Sequence, residues 1–167
     1  FDSFGISVAI DGNTIVVGSY GDDSLNTDAG AAYVFTQSGS DWGNCTGTDC
    51  TETQILTASD GEQSDLLGIS VAVNGNTIVV GAYSEDDRGS NAGAAYVFAF
   101  SVSWSETHKL TASDGDVQDF FGISVDVDSG TIVIGAGLED TLGSNAGAAY
   151  VFTQSGSDWG NCTGTDC

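Results

Sequence analysis

The sequence repeats one pattern three times, which restricts the chain to a fold built from similar, stacked units. The string Phe4-Gly5-Ile6-Ser7-Val8 returns with one change at 67–71 and unchanged at 121–125. A longer period lies over the first, because residues 35–50 recur letter for letter at 152–167. Long and short units therefore alternate. We interpret the sequence as a window of about three units from a longer array.

Each unit is expected to contain four short β-strands. In the first unit, 6–10 alternates between apolar and polar residues, and 14–18 is a β-branched run typical of a buried strand. After a polar loop, 31–35 predicts a third strand and 53–58 a fourth. Helical periodicity is absent from the sequence. We therefore predict an all-β fold of tandem four-stranded antiparallel blades of the β-propeller type.

The repeat divides the chain into three predicted blades, 1–58, 59–112 and 113–167. The first and third belong to long units, which carry a cysteine-containing insert after the third strand, at 43–51 in the first blade. The second blade is a short unit, and its fourth strand is predicted at 107–112. We expect the third blade to stop after its insert, before a strand equivalent to 53–58.

The charge of the chain limits its partners. Acidic residues number 24 against two basic ones, Arg88 and Lys109, and the formal net charge is −22. Such a surface repels a polyanion, so nucleic acid is not an expected partner. Bound divalent cations, above all Ca2+, or saline surroundings would relieve the self-repulsion, and both point outside the cell. No run of eighteen apolar residues occurs, so we expect no membrane span.

Four cysteines form two copies of one pair, Cys45/Cys50 and Cys162/Cys167, each written C-T-G-T-D-C. A short-range disulfide in each pair is favoured over half of a zinc site, because no second cysteine pair belongs to the same unit and His108 is the only histidine. Each first cysteine lies inside an N-x-[ST] sequon, at Asn44 and Asn161. This combination predicts a secreted glycoprotein with N-linked glycans on the insert.

The repeated string F-G-x-S-V-A-x-x-G-N-T-I-V-V-G-A, followed by G-A-A-Y-V-F, resembles the FG-GAP repeat family. The likeness extends to the T-A-S-D-G segments at 57–61 and 111–115. This resemblance implies a β-propeller, usually of seven blades, with roles in adhesion and ligand display. Integrin-type members carry a D-x-D-x-D-G-x-x-D calcium loop between the first two strands. Here that connection is only 11–13 or its equivalent, so the calcium site of those members is not carried over.

A different acidic constellation lies between the second and third strands of every unit. Carboxylate and amide oxygens in such loops are suitable ligands for Ca2+. The same residue types also stabilise turns by hydrogen bonding to their own backbone, and the sequence leaves both interpretations open. The candidate ligands are Asp22, Asp23, Asp28, Glu85, Asp86, Asp87, Asn91, Glu139, Asp140 and Asn145.

Other recurring positions have structural interpretations. Asp2, Asp65 and Asp119, each three residues before a repeat glycine, are predicted to hold the turn between units by side-chain to backbone hydrogen bonds. The recurrent tryptophans, one per unit, are predicted to pack between units. Because every prominent residue occurs once per unit and His108 is a single possible base, we expect no enzymatic activity.

Two functions fit this pattern. The first is an extracellular structural glycoprotein whose repeats self-associate with neighbouring repeats into a filament, sheath or surface layer, with Ca2+ as a possible stabiliser. The second is a closed propeller that binds a protein or glycan ligand on a secreted or cell-surface protein. The near-identity of the two long units favours the first function, because uniform repetition suits a regular assembly.

Overall fold

A computed structural model describes residues 1–46 and 49–161, and these contain strands and loops but no helix. The strands form three large antiparallel sheets, one per repeat, and a separate two-stranded sheet in the insert of the first unit, as the all-β prediction requires. The first unit holds β1 (Ser7–Asp11), β2 (Thr14–Ser19), β3 (Ala31–Ser38), β4 (Asp41–Trp42), β5 (Asn44–Thr46), β6 (Asp49–Thr51) and β7 (Gln54–Leu56). The second holds β8 (Ser70–Asn74), β9 (Thr77–Ala82), β10 (Ala94–Phe100) and β11 (Trp104–Leu110). The third holds β12 (Phe121–Asp128), β13 (Thr131–Ala136), β14 (Ala148–Ser155) and β15 (Asp158–Asn161).

Glycine turns set the register of the first hairpin in each unit. Gly12 and Gly75 have φ angles of 52° and 56°, a left-handed conformation that glycine adopts without strain. The turn at Gly12 pairs Asp11 with Thr14, and this register places Val8 opposite Val17. Side chains therefore alternate between two faces along each strand, and equivalent residues of all units lie on the same face.

The outermost strand differs between units. In the second sheet, β11 pairs along β10 in one piece. In the first sheet, β4 and β7 pair with opposite ends of β3, and the β5–β6 hairpin of the insert lies between them in the chain. The third sheet has β15 at the place of β4. The sequence prediction recognised 53–58 but missed β4 and β15, because each is a short polar segment with one tryptophan.

The core lies between sheets rather than within one. Val16 and Val34 of the first sheet pack against Ile78, Val80 and Tyr96 of the second. The opposite side of the second sheet packs against the third through a separate cluster. The second sheet therefore has apolar residues on both faces, which explains its nearly continuous apolar strands. The central members of this second cluster are Val79, Val97, Ile132, Ile134 and Phe152.

Adjacent sheets approach closely at the glycine that ends the second strand. A Cβ atom on Gly18 would lie 1.9 Å from the backbone oxygen of Gly68, and one on Gly81 would lie 2.0 Å from that of Gly122. The Ser7 hydroxyl donates to the Gly68 oxygen at 2.8 Å. The Ser70 hydroxyl does the same to the Gly122 oxygen, also at 2.8 Å. Glycine at these positions therefore allows adjacent sheets to approach closely.

Two linking segments, 64–68 and 118–122, join each unit to the next. Each runs across the end of an acidic loop in the preceding unit and donates backbone hydrogen bonds to it. Parallel bridges join Leu67 to Gly30 and Phe121 to Gly93. The linking segment thus docks a new sheet on the preceding one. Its hydrogen bonds include Ser64 N to Thr27 O (3.0 Å), Leu67 N to Ala29 O (2.9 Å), Gln118 N to Ser90 O (2.9 Å) and Phe121 N to Ala92 O (3.0 Å).

Candidate functional site

The acidic loops, 22–30, 85–93 and 139–147, connect the second and third strands of the three sheets. Each begins with a buried acid that closes the loop on itself. Asp22 Oδ1 accepts the Ser24 amide at 2.8 Å, and its backbone oxygen accepts the Gly30 amide at 3.0 Å. Glu85 and Glu139 accept the amides of Asp87 (2.9 Å) and Thr141 (2.7 Å) in the same way. These carboxylates thus act as turn residues.

The remaining candidate ligands occupy the outer part of the loops. Asp23 Oδ1 accepts the Asp28 amide at 2.7 Å, an arrangement that also stabilises the backbone. Asp28, Asn91 and Asn145 share left-handed φ angles of 51°, 56° and 54°. Asp and Asn tolerate this conformation better than most residues, which accounts for their recurrence. Asp86, Asp87 and Asp140 are exposed.

The second loop holds an ionic cluster centred on Lys109 of β11. Its Nζ lies 2.7 Å from Asp60 Oδ2, 2.9 Å from Glu85 Oε1 and 2.7 Å from Asp87 Oδ2. It also lies 5.6 Å from the centre of the Tyr96 ring, whose hydroxyl donates to Asp60 at 2.8 Å. An ammonium group of the chain therefore occupies the centre of these carboxylates, where a bound cation would otherwise lie.

Burial and hydrogen bonding have opposite effects on the pKa values of the charged groups in this cluster. Burial lowers the pKa of Lys109, but hydrogen bonds to Asp60, Asp87 and Glu85 outweigh it and hold that pKa above its usual range. Burial likewise raises the pKa of Asp60, yet the bonds from Lys109 and Tyr96 bring it below the ordinary value. Both groups are therefore charged at neutral pH, and the cluster is a fixed ionic link between the segment that follows β7, the second acidic loop and β11.

Two further carboxylates lie behind the loops. Asp65 Oδ2 accepts the Glu62 amide at 2.7 Å, and Asp119 Oδ2 accepts the Asp116 amide at 2.7 Å. Both aspartates are buried, and this confirms their predicted role in the turn between units. Burial, reinforced by the nearby charges of Glu85 and Asp86, raises the pKa of Asp65 to about 6.

In the described ranges, 1–46 and 49–161, no group of three or more His, Cys, Asp or Glu residues is arranged to hold a metal ion. The loop carboxylates already accept backbone amides, and Lys109 fills the middle of the second loop's cluster. The residues present therefore do not form a preassembled calcium cage. Calcium binding at the ten candidate ligands stays a prediction from the sequence.

The insert of the first unit is a disulfide-closed hairpin. Cys45 and Cys50 are bonded and lie opposite each other in the β5–β6 pair. Asn44 precedes the disulfide on the exposed side, and its Nδ2 donates to the Glu52 oxygen at 2.9 Å. This geometry confirms the first disulfide. The predicted Cys162–Cys167 disulfide falls outside the described residues, and N-glycosylation of Asn44 and Asn161 stays a prediction.

His108, the single histidine, is half-buried on β11. Its Nε2 lies 3.9 Å from Asp158 Oδ1, and its Nδ1 is buried without a hydrogen-bond partner among the described residues. No serine hydroxyl or cysteine thiol is among the hydrogen-bond partners found for it there. The chain's one possible imidazole base therefore lies on the edge strand of the second sheet.

The family profile described as FG-GAP repeat matches three stretches, residues 1–35, 50–98 and 104–152. This chain belongs to the FG-GAP repeat family. Each FG-GAP match includes most of the first three strands of one sheet; the second and third matches also include β7 and β11 of the preceding sheet, and the gap at 36–49 coincides with most of the insert. No curated protein matches the chain. The described part of the chain also has no helix long and apolar enough to cross a membrane.

Sequence reasoning on the FG-GAP units missed the ionic cluster. Asp60, Glu85 and Lys109 are far apart in the chain, and they meet because the segment after β7 of the first sheet lies against the second sheet. One signal was available: Lys109 is one of only two basic residues, and it lies on a strand whose neighbours carry many acids. A lone cation in so acidic a chain is expected to find a carboxylate partner.

Proposed function

We propose that this chain is part of an extracellular structural glycoprotein whose FG-GAP units assemble into a filament, sheath or surface layer. The observation that carries this proposal is the repeated way in which one sheet docks on the next. The serine hydroxyl, the glycine contact and the parallel bridge between the first and second sheets all recur between the second and third. Such repetition produces a regular stack, because each unit contacts its neighbours in one fixed way.

The surface of the stack supports an extracellular location. A disulfide is typical of oxidising compartments, and the hairpin that it closes carries the sequon on its exposed side. FG-GAP units and a disulfide are compatible with an extracellular protein. The 117-residue spacing of the two identical inserts would place glycans on alternate units. Glycans and an acidic surface would keep adjacent stacks apart in solution.

The second candidate is a closed propeller that binds a protein or glycan ligand. A cleft of about 210 Å3 between the outer strands of the first and second sheets favours this function. Gln54, Trp104 and Glu106 line it, so it offers both an aromatic surface and polar groups. Either function is non-enzymatic, and the recurrence of each acid once per unit supports that part of the proposal.

Electron microscopy of the native, undissociated protein tests the structural role. Regular filaments or sheets with a repeat that corresponds to two units would support it. Discrete rings would contradict it and favour the ligand-binding propeller. Adding a calcium chelator to the same preparation tests the predicted calcium: disassembly would support a metal contribution, whereas unchanged filaments would assign the stability to packing and the disulfide alone.

A further inference from the structure

The turns of the first hairpins form a row of contacts from unit to unit. Asp11, Asn74 and Asp128 occupy the same position, the last residue of β1, β8 and β12. Two of them accept a backbone amide from the turn of the following unit. The Gly75 amide donates to Asp11 Oδ2 at 2.6 Å, and the Ser129 amide donates to Asn74 Oδ1 at 3.2 Å. The turn of the second unit therefore contacts both of its neighbours.

The residue pair in this middle turn is chemically distinct. Asn74 is the only asparagine in the sequence that is followed by glycine. An asparagine side chain can be attacked at its carbonyl carbon by the amide nitrogen of the next residue, and a side chain on that residue hinders the attack. Glycine has no side chain. Gly75 is exposed, and even a Cβ atom on it would have no neighbour within 4 Å, so water reaches the turn.

We propose that Asn74 is a site of self-catalysed deamidation, in which Asp11 is the base and the Ser129 amide stabilises the negative charge that develops on Asn74 Oδ1. The modification converts Asn74 to aspartate or isoaspartate, and water is the co-reactant. It concerns the chemistry of one turn, so it does not depend on whether the units assemble into a filament.

Asp11 activates the nucleophile. An amide nitrogen attacks poorly while it keeps its proton, and an adjacent base removes this obstacle. Asp11 Oδ2 lies 2.6 Å from the Gly75 nitrogen, within the reach that general-base catalysis requires. The base comes from the preceding unit, so the arrangement exists only when the first and second sheets are docked.

The third unit holds the group that is attacked. The Ser129 amide donates to Asn74 Oδ1 at 3.2 Å, where negative charge develops during the attack. Asn74 Nδ2 donates to Asp128 Oδ1 at 3.4 Å, and the Ser129 hydroxyl donates to the same oxygen at 2.9 Å. The side-chain amide is thus held at both its oxygen and its nitrogen, which fixes its orientation.

The reaction has two steps. In the first, a bond forms between the Gly75 nitrogen and Asn74 Cγ, and the bond between Asn74 Cγ and Nδ2 breaks. The Gly75 amide proton passes to Asp11 Oδ2 and then to the departing nitrogen, which leaves as ammonia. In the second, water opens the five-membered succinimide ring. Attack at Cγ gives aspartate, and attack at the backbone carbonyl carbon gives isoaspartate.

The equivalent turns of the other two units lack this reactive pair. Asp11 is followed by Gly12, but an ionised carboxylate is a much poorer electrophile than an amide. Asp128 is followed by Ser129, whose side chain adds a further hindrance. The modification is therefore specific to the short unit.

The product weakens the contact between the second and third turns. A carboxylate in place of the Asn74 amide loses the Nδ2 donor and faces Asp128 Oδ1, so an attractive contact becomes a repulsion between like charges. Three carboxylates would then follow one another along the row of turns. Isoaspartate also lengthens the backbone by one atom within the hairpin. Because these turns are partly exposed, solvent reduces the effect of the added charge.

Peptide mapping by mass spectrometry tests the proposal on the 167-residue chain, incubated at neutral pH and sampled over time. We expect Asn74 to convert faster than any other asparagine of the chain. Asp11→Ala should slow this conversion by roughly a hundredfold, the lower end of what a positioned base contributes. Asp41→Ala is the matched control, because it removes the same charge from an exposed position on β4 of the same sheet and should leave the rate unchanged. Thermal melts would verify that both variants fold.

Thermal unfolding of freshly prepared variants tests the consequence. N74D should lower the midpoint temperature, and adding D128N to it should restore much of the loss, because the second change removes the facing charge. Three results would overturn the proposal: no conversion at Asn74, equal conversion rates in D11A and D41A, or faster conversion in D11A than in the natural chain. An unchanged midpoint in N74D would overturn the predicted weakening of the contact.

Discussion

The first and second sheets have almost the same strands but different surroundings. Val71 of the second sheet is 8% exposed, whereas its equivalent Val8 in the first is 68% exposed. Tyr96 and Phe98 are buried between the first and second sheets. Their equivalents Tyr33 and Phe35, on the same face of the first sheet, are half-buried. Residues at equivalent positions of similar units therefore differ in burial, because burial depends on the neighbouring sheet.

This difference shows where the stability of the chain originates. A single sheet of this kind has two apolar faces and cannot cover either by itself. The second sheet has a neighbour on each side and supplies residues to both core clusters. Within residues 1–46 and 49–161, the first and third sheets each contribute to one of these clusters. Substitutions at equivalent positions should therefore have unequal effects, and the inequality can be measured.

The largest difference is expected between Phe121→Ala and Phe4→Ala. Phe121 lies 5.3 Å from the Tyr150 ring and Phe4 lies 5.2 Å from the Tyr33 ring, so each has the same aromatic partner in its own unit. Only Phe121 has a preceding sheet over it. We expect F121A to lower the free energy of unfolding by about 4 kcal/mol and F4A by about 1 kcal/mol. Urea denaturation measures the free energy of unfolding of both variants. Equal losses in F121A and F4A would contradict a stabilising role for the preceding sheet.

Gly81→Ala should be the next most damaging change. The added Cβ would meet the Gly122 backbone oxygen at 2.0 Å, so the second and third sheets would have to separate. We expect a loss of about 3 kcal/mol, as for severe overpacking. Gly135→Ala is the matched control, because its Cβ meets the Ser124 hydroxyl, which can rotate away. In thermal unfolding, the natural chain should have the highest midpoint temperature, G135A the next and G81A the lowest. A lower midpoint for G135A than for G81A would contradict the close contact between the second and third sheets.

Lys109→Met tests the ionic cluster that only the second sheet has. Removing the ammonium leaves Asp60 and the buried Glu85 without their cation, whereas the apolar stem is retained. The cluster is partly exposed, so we expect a loss of about 2 kcal/mol, below that for a fully buried pair. Arg88→Met removes the same charge from an exposed position and should change stability little. Comparable losses in the two variants would assign the effect to net charge instead.

The smallest effect concerns pH. The pKa of Asp65 is raised to about 6, so the protonated form is favoured in the folded state. Its contribution to stability is complete below about pH 4, its unfolded value, and is lost as pH rises through about 6. We expect Asp65→Asn, which keeps an acceptor for the Glu62 amide, to remove about 1 kcal/mol of the pH dependence between pH 5 and 7. Urea denaturation at pH values between 5 and 7 measures the free energy of unfolding of both proteins. If that free energy depends on pH equally in the natural chain and in D65N, Asp65 is not the group responsible.

Local sequence patterns predicted much of the fold. The β-branched runs and the cysteine spacing are local signals, and the strands and the Cys45–Cys50 disulfide that they predict are present. The ionic cluster was not predictable in this way, because Lys109 of the second sheet meets Asp60, which follows the last strand of the first sheet, only when the two sheets dock. The split outer strand was missed for a similar reason: β4 forms because the Gly39 turn folds it onto β3, although its own residues have little strand preference.

The central claim is that one docking geometry joins successive sheets, and equivalent substitutions at the two contacts test it most directly. Gly18→Ala would place a Cβ atom 1.9 Å from the Gly68 oxygen, and Gly81→Ala would place one 2.0 Å from the Gly122 oxygen. Urea denaturation of the two variants should show similar losses in the free energy of unfolding, each about 3 kcal/mol. A large loss in one variant with little change in the other would contradict the claim.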